Sequence, residues 1–195
     1  GFEHLPFQFK QCIGGGAAVQ RAVAARWLQV TGTPISEGYG LSETSPILTL
    51  NKADTNKFTG SIGLPLPSTD ISIRDDKGVE VGVGEPGELC AKGPQVMSGY
   101  WNQEDTNSED FTEDGFFRTG DIATVDEKGY FRNVDRKKDM ILVSGLNVFP
   151  NEIEEVISAC EAVLESACIG IEDENTGEAA KVFVVKRRGM GVGAG

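Results

Sequence analysis

The amino-acid sequence predicts an α+β fold, because helical and strand patterns occupy separate stretches of the chain. The opening stretch predicts a strand, the glycine run GGG at 14–16 and a helix. Short strands separated by hairpin signals follow from about 60 to 135. From residue 139 onward, a strand pair precedes a helix and two more strands. This order indicates a larger mixed region followed by the start of a small second α+β domain.

The first elements are a strand at 8–13 (QFKQCI) and a helix over about 17–30. Apolar side chains such as Val19 and Val23 recur on one face of this helix, and TGTP at 31–34 ends it. Because glycine has no Cβ, the glycine run between the two elements would let the backbone approach a ligand closely. The alternative is a plain tight connection between strand and helix.

The segment EGYGLSETSP at 37–46 combines two glycines, a tyrosine, a hydroxyl and a carboxylate. Glycines beside an aromatic ring suit a flat ligand. The hydroxyl of Ser42 next to the carboxylate of Glu43 suits a bound metal or phosphate. The alternative is an ordinary turn before a helix, with Ser42 as the N-cap. The segment alone does not decide between them.

The stretch from about 60 to 135 is predicted to be mainly antiparallel β structure. DDKG at 75–78 and DEKG at 126–129 are hairpin signals, and only 102–110 (NQEDTNSED) is predicted to be helical. Asp121, in RTGD, stands at the mouth of a predicted hairpin. Its carboxylate could accept hydrogen bonds from two vicinal hydroxyls, as acidic residues do with ribose, or it could form an Asx-type turn.

The region after residue 139 predicts a strand, a glycine turn and a returning strand in MILVSGLNVFP. Asn151 is predicted to cap the helix NEIEEVISA, with Glu154 completing a capping box. VLESACIGI and AAKVFVVKR are predicted to be two further strands, each with an apolar face. No second helix pattern follows, so this domain is expected to be incomplete.

Composition restricts the classes of function. The net charge of −12 argues against a nucleic-acid-binding surface, although a nucleotide needs only a few local donors. The four cysteines form no CxxC pair, and His4 is the only histidine, so zinc sites and histidine triads are not expected. No signal peptide or bilayer-length apolar run is present in the sequence, and a reduced, cytosolic setting fits best.

Two basic or glycine-rich stretches have competing interpretations. DRKKD at 135–139 offers the planar donor fork of Arg136, whereas Lys137 and Lys138 resemble a solvated basic patch. The terminal GMGVGA fits the spacing of a dinucleotide-binding loop after a strand. Because neither a following helix nor a downstream acidic residue is present, the dinucleotide-binding interpretation is rejected.

The motifs GGG, GYGLSE, GELCAKGPQVMSGYW, TGD and VDRKKDMILVSGLNVFPNEIEE, in this order, resemble the adenylate-forming enzyme superfamily. Within it, the sequence is most similar to bacterial long-chain fatty acid–CoA ligases. The resemblance covers about residues 12 to 188. It implies that residues 1–137 are the end of the large AMP-binding domain, including its antiparallel β-barrel part. It implies that residues 138–195 are the first part of the small C-terminal domain.

The resemblance also implies roles for individual residues. Tyr39 would stack on adenine, Ser42 would contact phosphate and Glu43 would hold Mg²⁺ and, with Ser42, act in catalysis. Lys138 would be the hinge between domains, and Gly145 would line the path of coenzyme A. The remaining residues implied at the nucleotide are Gly15, Gly16, Ala17 and Gly40, together with Asp121 and Arg136 at the ribose.

The implied reaction activates a long-chain fatty acid with ATP as an acyl-adenylate and transfers the acyl group to coenzyme A. The expected partners are fatty acid, ATP, coenzyme A and Mg²⁺. Neither nucleic acid nor membrane contact is indicated, and the oligomeric state is not specified. The full-length enzyme is expected in the cytoplasm, with a peripheral position at the inner membrane as an alternative.

Parts of the family's machinery are expected outside this sequence, namely a phosphate loop upstream and an adenylation lysine downstream. The 195 residues alone are therefore expected to be inactive. Two alternatives stay open. One is an adenylating enzyme with another carboxylic acid or a carrier-protein thiol as acceptor. The other is a non-catalytic fragment that binds nucleotide.

Overall fold

A computed structural model describes residues 9–189 and divides the chain into two compact units, the second beginning at Val134. The sequence-based domain boundary at 137 and 138 stays a prediction. His4 and most of the GMGVGA motif lie outside the described residues.

The first sheet of the first unit has four strands in the order β1-β2-β3-β4. Its elements are β1 (Cys12–Gly14), α1 (Arg21–Thr31), β2 (Ile35–Gly40), β3 (Ile47–Leu50) and β4 (Leu64–Pro65). Strands β1 and β2 are parallel, which requires the crossover that α1 provides, and the other pairs are antiparallel. The helix begins later than predicted because Gln20 is still extended, and it ends at Gly32 in the left-handed conformation.

The second sheet of the first unit confirms the predicted antiparallel hairpins. It has the order β5-β6-β7-β8, from β5 (Asp70–Arg74), β6 (Gly87–Lys92), β7 (Phe117–Val125) and β8 (Phe131–Arg136), and α2 (Glu104–Asp110) precedes β7. The unit boundary at Val134 falls within β8, so its last three residues are counted in the second unit. In the DEKG turn, the Asp126 carboxylate accepts the backbone N–H groups of Lys128 and Tyr130. The barrel part of the prediction is not confirmed, because each described sheet is open.

The core of the first unit joins the two sheets. Leu48 on β3 and Leu89 on β6 are fully buried, and Ile73 and Ala123 pack in the same cluster. Tyr39 on β2 belongs to this cluster, so its ring is held among apolar side chains at the carboxyl end of the strand. Burial of such side chains contributes about 1.5–3 kcal/mol each for the larger ones.

The second unit confirms the predicted order of strand pair, helix and two strands. Its elements are β9 (Ile141–Val143), β10 (Leu146–Val148), α3 (Pro150–Ser158), β11 (Val163–Asp173) and β12 (Gly177–Lys186). The sheet order is β10-β9-β12-β11. Helix α3 packs on β11, and the side chains of Ile169, Phe183 and Val185 are exposed.

The predicted capping box of α3 is wrong. The N-cap is Phe149, and Pro150 is the first helical residue, where its fixed φ favours helix initiation. Asn151 therefore lies inside the first turn, and its N–H donates to the buried Asp135 carboxylate at 2.9 Å. Glu154 instead accepts the N–H of Cys168 on β11 at 2.7 Å. The carboxylate of Asp135 thus takes the place that the capping box assigned to Glu154 as acceptor of the Asn151 N–H.

No helix within residues 9–189 is long and apolar enough to cross a membrane.

Candidate functional site

The glycine run lies directly against the strand that carries EGYG. A Cβ added at Gly15 would stand 3.3 Å from the carbonyl oxygen of Gly38, and one at Gly14 would stand 2.9 Å from side-chain carbons of Ile35 and Val19. Gly16 has a φ of +82°, and no heavy atom lies within 4 Å of its Cβ position. The run is therefore tight on the strand side and open at Gly16, and the neighbouring Ala17 is exposed.

Glu37 is a buried carboxylate that the sequence did not indicate as functional. Its Oε1 accepts the N–H of Val19 at 3.3 Å, close to the glycine run. Its Oε2 is buried and has no hydrogen-bond partner among residues 9–189. Burial raises the pKa of Glu37, because removing the charged form from water is unfavourable. Glu37 thereby fastens the start of the loop–helix segment to β2.

Tyr39 and Asp121 are joined, although they lie far apart in sequence. The Tyr39 hydroxyl donates to Asp121 Oδ2 at 2.6 Å, and the two residues are 9 % and 6 % exposed. The Asp121 N–H donates to the Thr119 hydroxyl at 3.2 Å, which fixes the RTGD backbone. A donor on one carboxylate oxygen orients the Asp121 carboxylate plane. The adenine and ribose roles of the two residues stay predictions.

Backbone packing explains why residue 40 is a glycine. A Cβ at this position would collide with the backbone of Pro46, because β2 and β3 approach closely at a register shift next to Tyr39. Glycine is therefore required by backbone packing. Its predicted contact with nucleotide remains a prediction.

Ser42 and Glu43 lie in a short 3-10 helix, Ser42–Thr44. The alternative in which Ser42 is the N-cap is wrong, since Leu41 is the cap and the Thr44 hydroxyl accepts its N–H at 2.9 Å. Thr44 is fully buried, so it anchors the turn, whereas Ser42 is exposed. This arrangement presents the Ser42 hydroxyl outward beside Glu43.

The Glu43 carboxylate is held by a tyrosine that the sequence did not single out. The Tyr100 hydroxyl donates to Glu43 Oε1 at 2.7 Å. This hydrogen bond is the main reason that the pKa of Tyr100 rises to about 12, with desolvation as the second. The phenol thus stays protonated and continues to donate. The sequence signal that could have indicated Tyr100 is its pairing with a second aromatic residue, Trp101, in GYW.

The residues present fit Mg²⁺ bound together with a nucleotide. No group of three or more His, Cys, Asp or Glu side chains within residues 9–189 could form an all-protein metal cage. Mg²⁺ characteristically binds one or two carboxylates and completes its shell with water and substrate phosphates. The half-buried Glu43, beside the hydroxyl of Ser42, supplies such a carboxylate.

Three predicted residues lie in the second unit. Arg136 is the last residue of β8, and Lys138 lies in a short 3-10 helix, Lys137–Asp139. Gly145 and Ser144 form the two-residue turn between β9 and β10, with φ values of +82° and +50°. Positive φ at both central residues is characteristic of a type I′ hairpin turn, so the turn itself favours glycine at this position.

Two family models match the chain. The model described as AMP-binding enzyme matches residues 3–101, and the AMP-binding enzyme C-terminal domain matches residues 152–193. The chain belongs to the AMP-binding enzyme family. The predicted resemblance is therefore confirmed.

Relatives of this AMP-binding enzyme chain include two bacterial proteins and a solved structure. It is 57 % identical over 186 residues to the long-chain-fatty-acid–CoA ligase of Yersinia pestis, matching 95 % of this chain and 33 % of the relative. It is 53 % identical over 187 residues to the long-chain-fatty-acid–CoA ligase of Escherichia coli O6:H1, again matching 95 % of this chain and 33 % of the relative. The crystal structure of ATP-bound MatB from Rhodopseudomonas palustris superposes with a TM-score of 0.89 at 35 % identity, matching 94 % of this chain and 36 % of that chain. The chain thus spans about a third of the length of these relatives.

Proposed function

We propose that this chain forms part of an ATP-dependent ligase that joins a long-chain fatty acid to coenzyme A. The observation that carries the proposal is the meeting of GGG, EGYG and TGD in one unit, centred on the 2.6 Å bond between Tyr39 and Asp121. The names of relatives at 53–57 % identity support the fatty acid as substrate. Residues 1–137 would complete the large domain, and residues 138–195 would begin the small one.

The proposed reaction has two steps. A fatty acid carboxylate oxygen attacks the α-phosphorus of ATP, and pyrophosphate leaves, which yields the acyl-adenylate. The thiolate of coenzyme A then attacks the acyl carbonyl carbon, and AMP leaves. Both steps depend on positioning and on stabilisation of charge, as in other reactions at phosphorus and acyl centres. A covalent enzyme intermediate is not required.

The first unit would hold the nucleotide. The Asp121 carboxylate, oriented by Tyr39, would accept hydrogen bonds from the ribose hydroxyls, and the Tyr39 ring would face adenine. The open backbone at Gly15, Gly16 and Ala17 would lie along the adenylate. The exposed hydroxyl of Ser42 would donate to phosphate.

Glu43 would hold Mg²⁺, which supplies positive charge that neutralises the phosphates. The roles proposed for the remaining residues are ribose binding for Arg136, the hinge for Lys138 and the path of coenzyme A for Gly145. ATP and coenzyme A are available in the cytoplasm, where we place the reaction.

The proposal is tested in the complete enzyme that carries this chain. ATP–pyrophosphate exchange should require a fatty acid such as palmitate, and coenzyme A should accept the acyl group. Exchange with an aryl acid such as ferulate but not with palmitate would overturn the choice of substrate. Acyl transfer to a carrier-protein thiol but not to coenzyme A would overturn the choice of acceptor. ATP binding without exchange for any acid would favour a non-catalytic binding role.

A further inference from the structure

The loop after β6 holds Glu43 at two points. The Tyr100 hydroxyl donates to the Glu43 side chain at 2.7 Å, and the Met97 N–H donates to the Glu43 carbonyl oxygen at 2.8 Å. One contact fixes the backbone of the 3-10 turn, and the other fixes the carboxylate. Together they define both the place and the orientation of the Glu43 side chain.

Tyr100 is itself clamped by helix α2. The Tyr100 N–H donates to Asn107 Oδ1 at 2.6 Å, and Asn107 Nδ2 donates to the Tyr100 carbonyl oxygen at 3.0 Å. Both backbone groups of the tyrosine are thus bound by one side-chain amide. Gly99 permits this clamp, since a Cβ there would stand 2.8 Å from the Asn107 amide, and its φ is +141°. Asn107, Tyr100 and Glu43 form one chain of hydrogen bonds.

We propose that Tyr100 is a positioning residue that orients the Glu43 carboxylate toward the metal of the Mg²⁺–ATP complex, and that Asn107 holds Tyr100 for this task. The inference rests on the proposed function, in which Glu43 binds Mg²⁺. A donor on Oε1 fixes the carboxylate plane and directs Oε2 as the metal ligand. Hydrogen-bond partners of metal ligands commonly affect metal affinity or activity by about 10–100-fold.

The alternative is that the tyrosine only braces the loop. The two roles differ in a measurable way, because a brace affects stability and a positioning residue affects the dependence on metal. Tyr100→Phe removes only the hydroxyl and keeps the ring. Tyr130→Phe is a matched control, since Tyr130 directly follows the DEKG turn, donates its N–H to Asp126 and has no part in the proposed site.

The first measurement is ATP–pyrophosphate exchange by the complete enzyme as a function of Mg²⁺ concentration. Tyr100→Phe should raise the Mg²⁺ concentration for half-maximal rate by about tenfold, at the lower end of that range. The KM for fatty acid should not change. Asn107→Ala should shift the Mg²⁺ dependence in the same direction, and the double variant should be no worse than the more impaired single variant. Tyr130→Phe should match the wild type.

The second measurement does not depend on activity. Binding of Mn²⁺–ATP, followed by electron paramagnetic resonance, should weaken in Tyr100→Phe and not in Tyr130→Phe.

Glu43→Gln separates the inference from the function on which it rests. If Glu43→Gln leaves the Mg²⁺ dependence unchanged, the metal role of Glu43 and the positioning role of Tyr100 both fail. If Glu43→Gln shifts it while Tyr100→Phe does not, the proposed function stands and the inference is overturned. A lower melting temperature of Tyr100→Phe with unchanged Mg²⁺ dependence likewise shows a brace only. Should Tyr100→Phe not fold, Asn107→Ala decides by the same criteria.

Discussion

Replacement of Asp121 tests the geometry of the proposed nucleotide site most directly. Asp121→Asn keeps the size of the side chain and one acceptor oxygen for the Tyr39 hydroxyl, which lies 2.6 Å from Oδ2 in the wild type. It removes the negative charge and presents an amide N–H₂ group to the ribose. A hydrogen bond to a charged group is worth about 1.5–3 kcal/mol. Loss of one such bond corresponds to roughly 10- to 150-fold in the KM for ATP.

Asp121→Ala should have a second effect, because it leaves the hydroxyl of the buried Tyr39 without its Asp121 acceptor. An unsatisfied buried polar group costs about 1–3 kcal/mol, so the melting temperature should fall in Asp121→Ala and much less in Asp121→Asn. Tyr39→Phe in the Ala background should recover part of the loss, since it removes the hydroxyl that has lost its Asp121 acceptor.

The assay is ATP–pyrophosphate exchange by the complete enzyme at varied ATP, with thermal unfolding measured in parallel. Tyr39→Phe is the control for the hydrogen bond alone, and it should raise the KM for ATP less than Asp121→Asn does. A KM for ATP within about twofold of wild type in both Asp121 variants would refute the ribose assignment, because the expected loss is at least about tenfold.

Three further predictions concern stability and the second step. Because burial raises the pKa of Glu37 above 4.5, the unfolded chain releases this proton at lower pH than the folded chain, and stability falls as pH rises through the raised pKa. Glu37→Gln should therefore raise the melting temperature near neutral pH, and calorimetry near pH 4 should show no gain. Gly145→Leu should spare pyrophosphate exchange and impair acyl-CoA formation. Gly145→Asn should impair acyl-CoA formation less, because asparagine tolerates positive φ. Equal losses in both reactions would assign Gly145 to the turn alone. Phe183→Lys with Val185→Thr should reduce light scattering by the 195-residue chain, since both side chains are 50 % exposed, and unchanged scattering would show that this face does not drive association.

The sequence predicted the elements whose signals are local. DDKG and DEKG specify hairpins because Asp75 and Asp126 each accept backbone N–H groups within their own turns. The glycine run marked the connection between β1 and α1, where a Cβ at Gly14 would stand 2.9 Å from neighbouring side chains and Gly16 has a φ of +82°. Such signals involve residues a few positions apart, so no tertiary contact is needed to recognise them.

The contacts that organise the candidate site are not local. Tyr39 and Asp121 are 82 positions apart, and Glu43 and Tyr100 are 57 apart. The sequence indicated Tyr39, Asp121 and Glu43 individually, but nothing in its periodicity states that β2 and β7 bring two of them together. Glu37 and Tyr100 were missed because their importance comes from burial and from their partner, which only packing determines.

The hydrogen bonds that Asn151 makes in place of the predicted capping box hold the chain next to the predicted hinge at Lys138. The second unit begins at Val134. Asn151 Nδ2 donates a hydrogen bond to the Val134 carbonyl oxygen at 3.3 Å, and the Asn151 N–H donates to the Asp135 carboxylate at 2.9 Å. The chain just before Lys138 is thereby attached to helix α3. A rotation about Lys138 would separate Asn151 from Asp135 and would break both bonds. Their combined worth is about 2–4.5 kcal/mol, taking one neutral and one charged hydrogen bond. A ligand can shift this equilibrium only by the difference in its affinity for the two states, so opening requires a ligand that binds the rotated state more tightly by at least this amount.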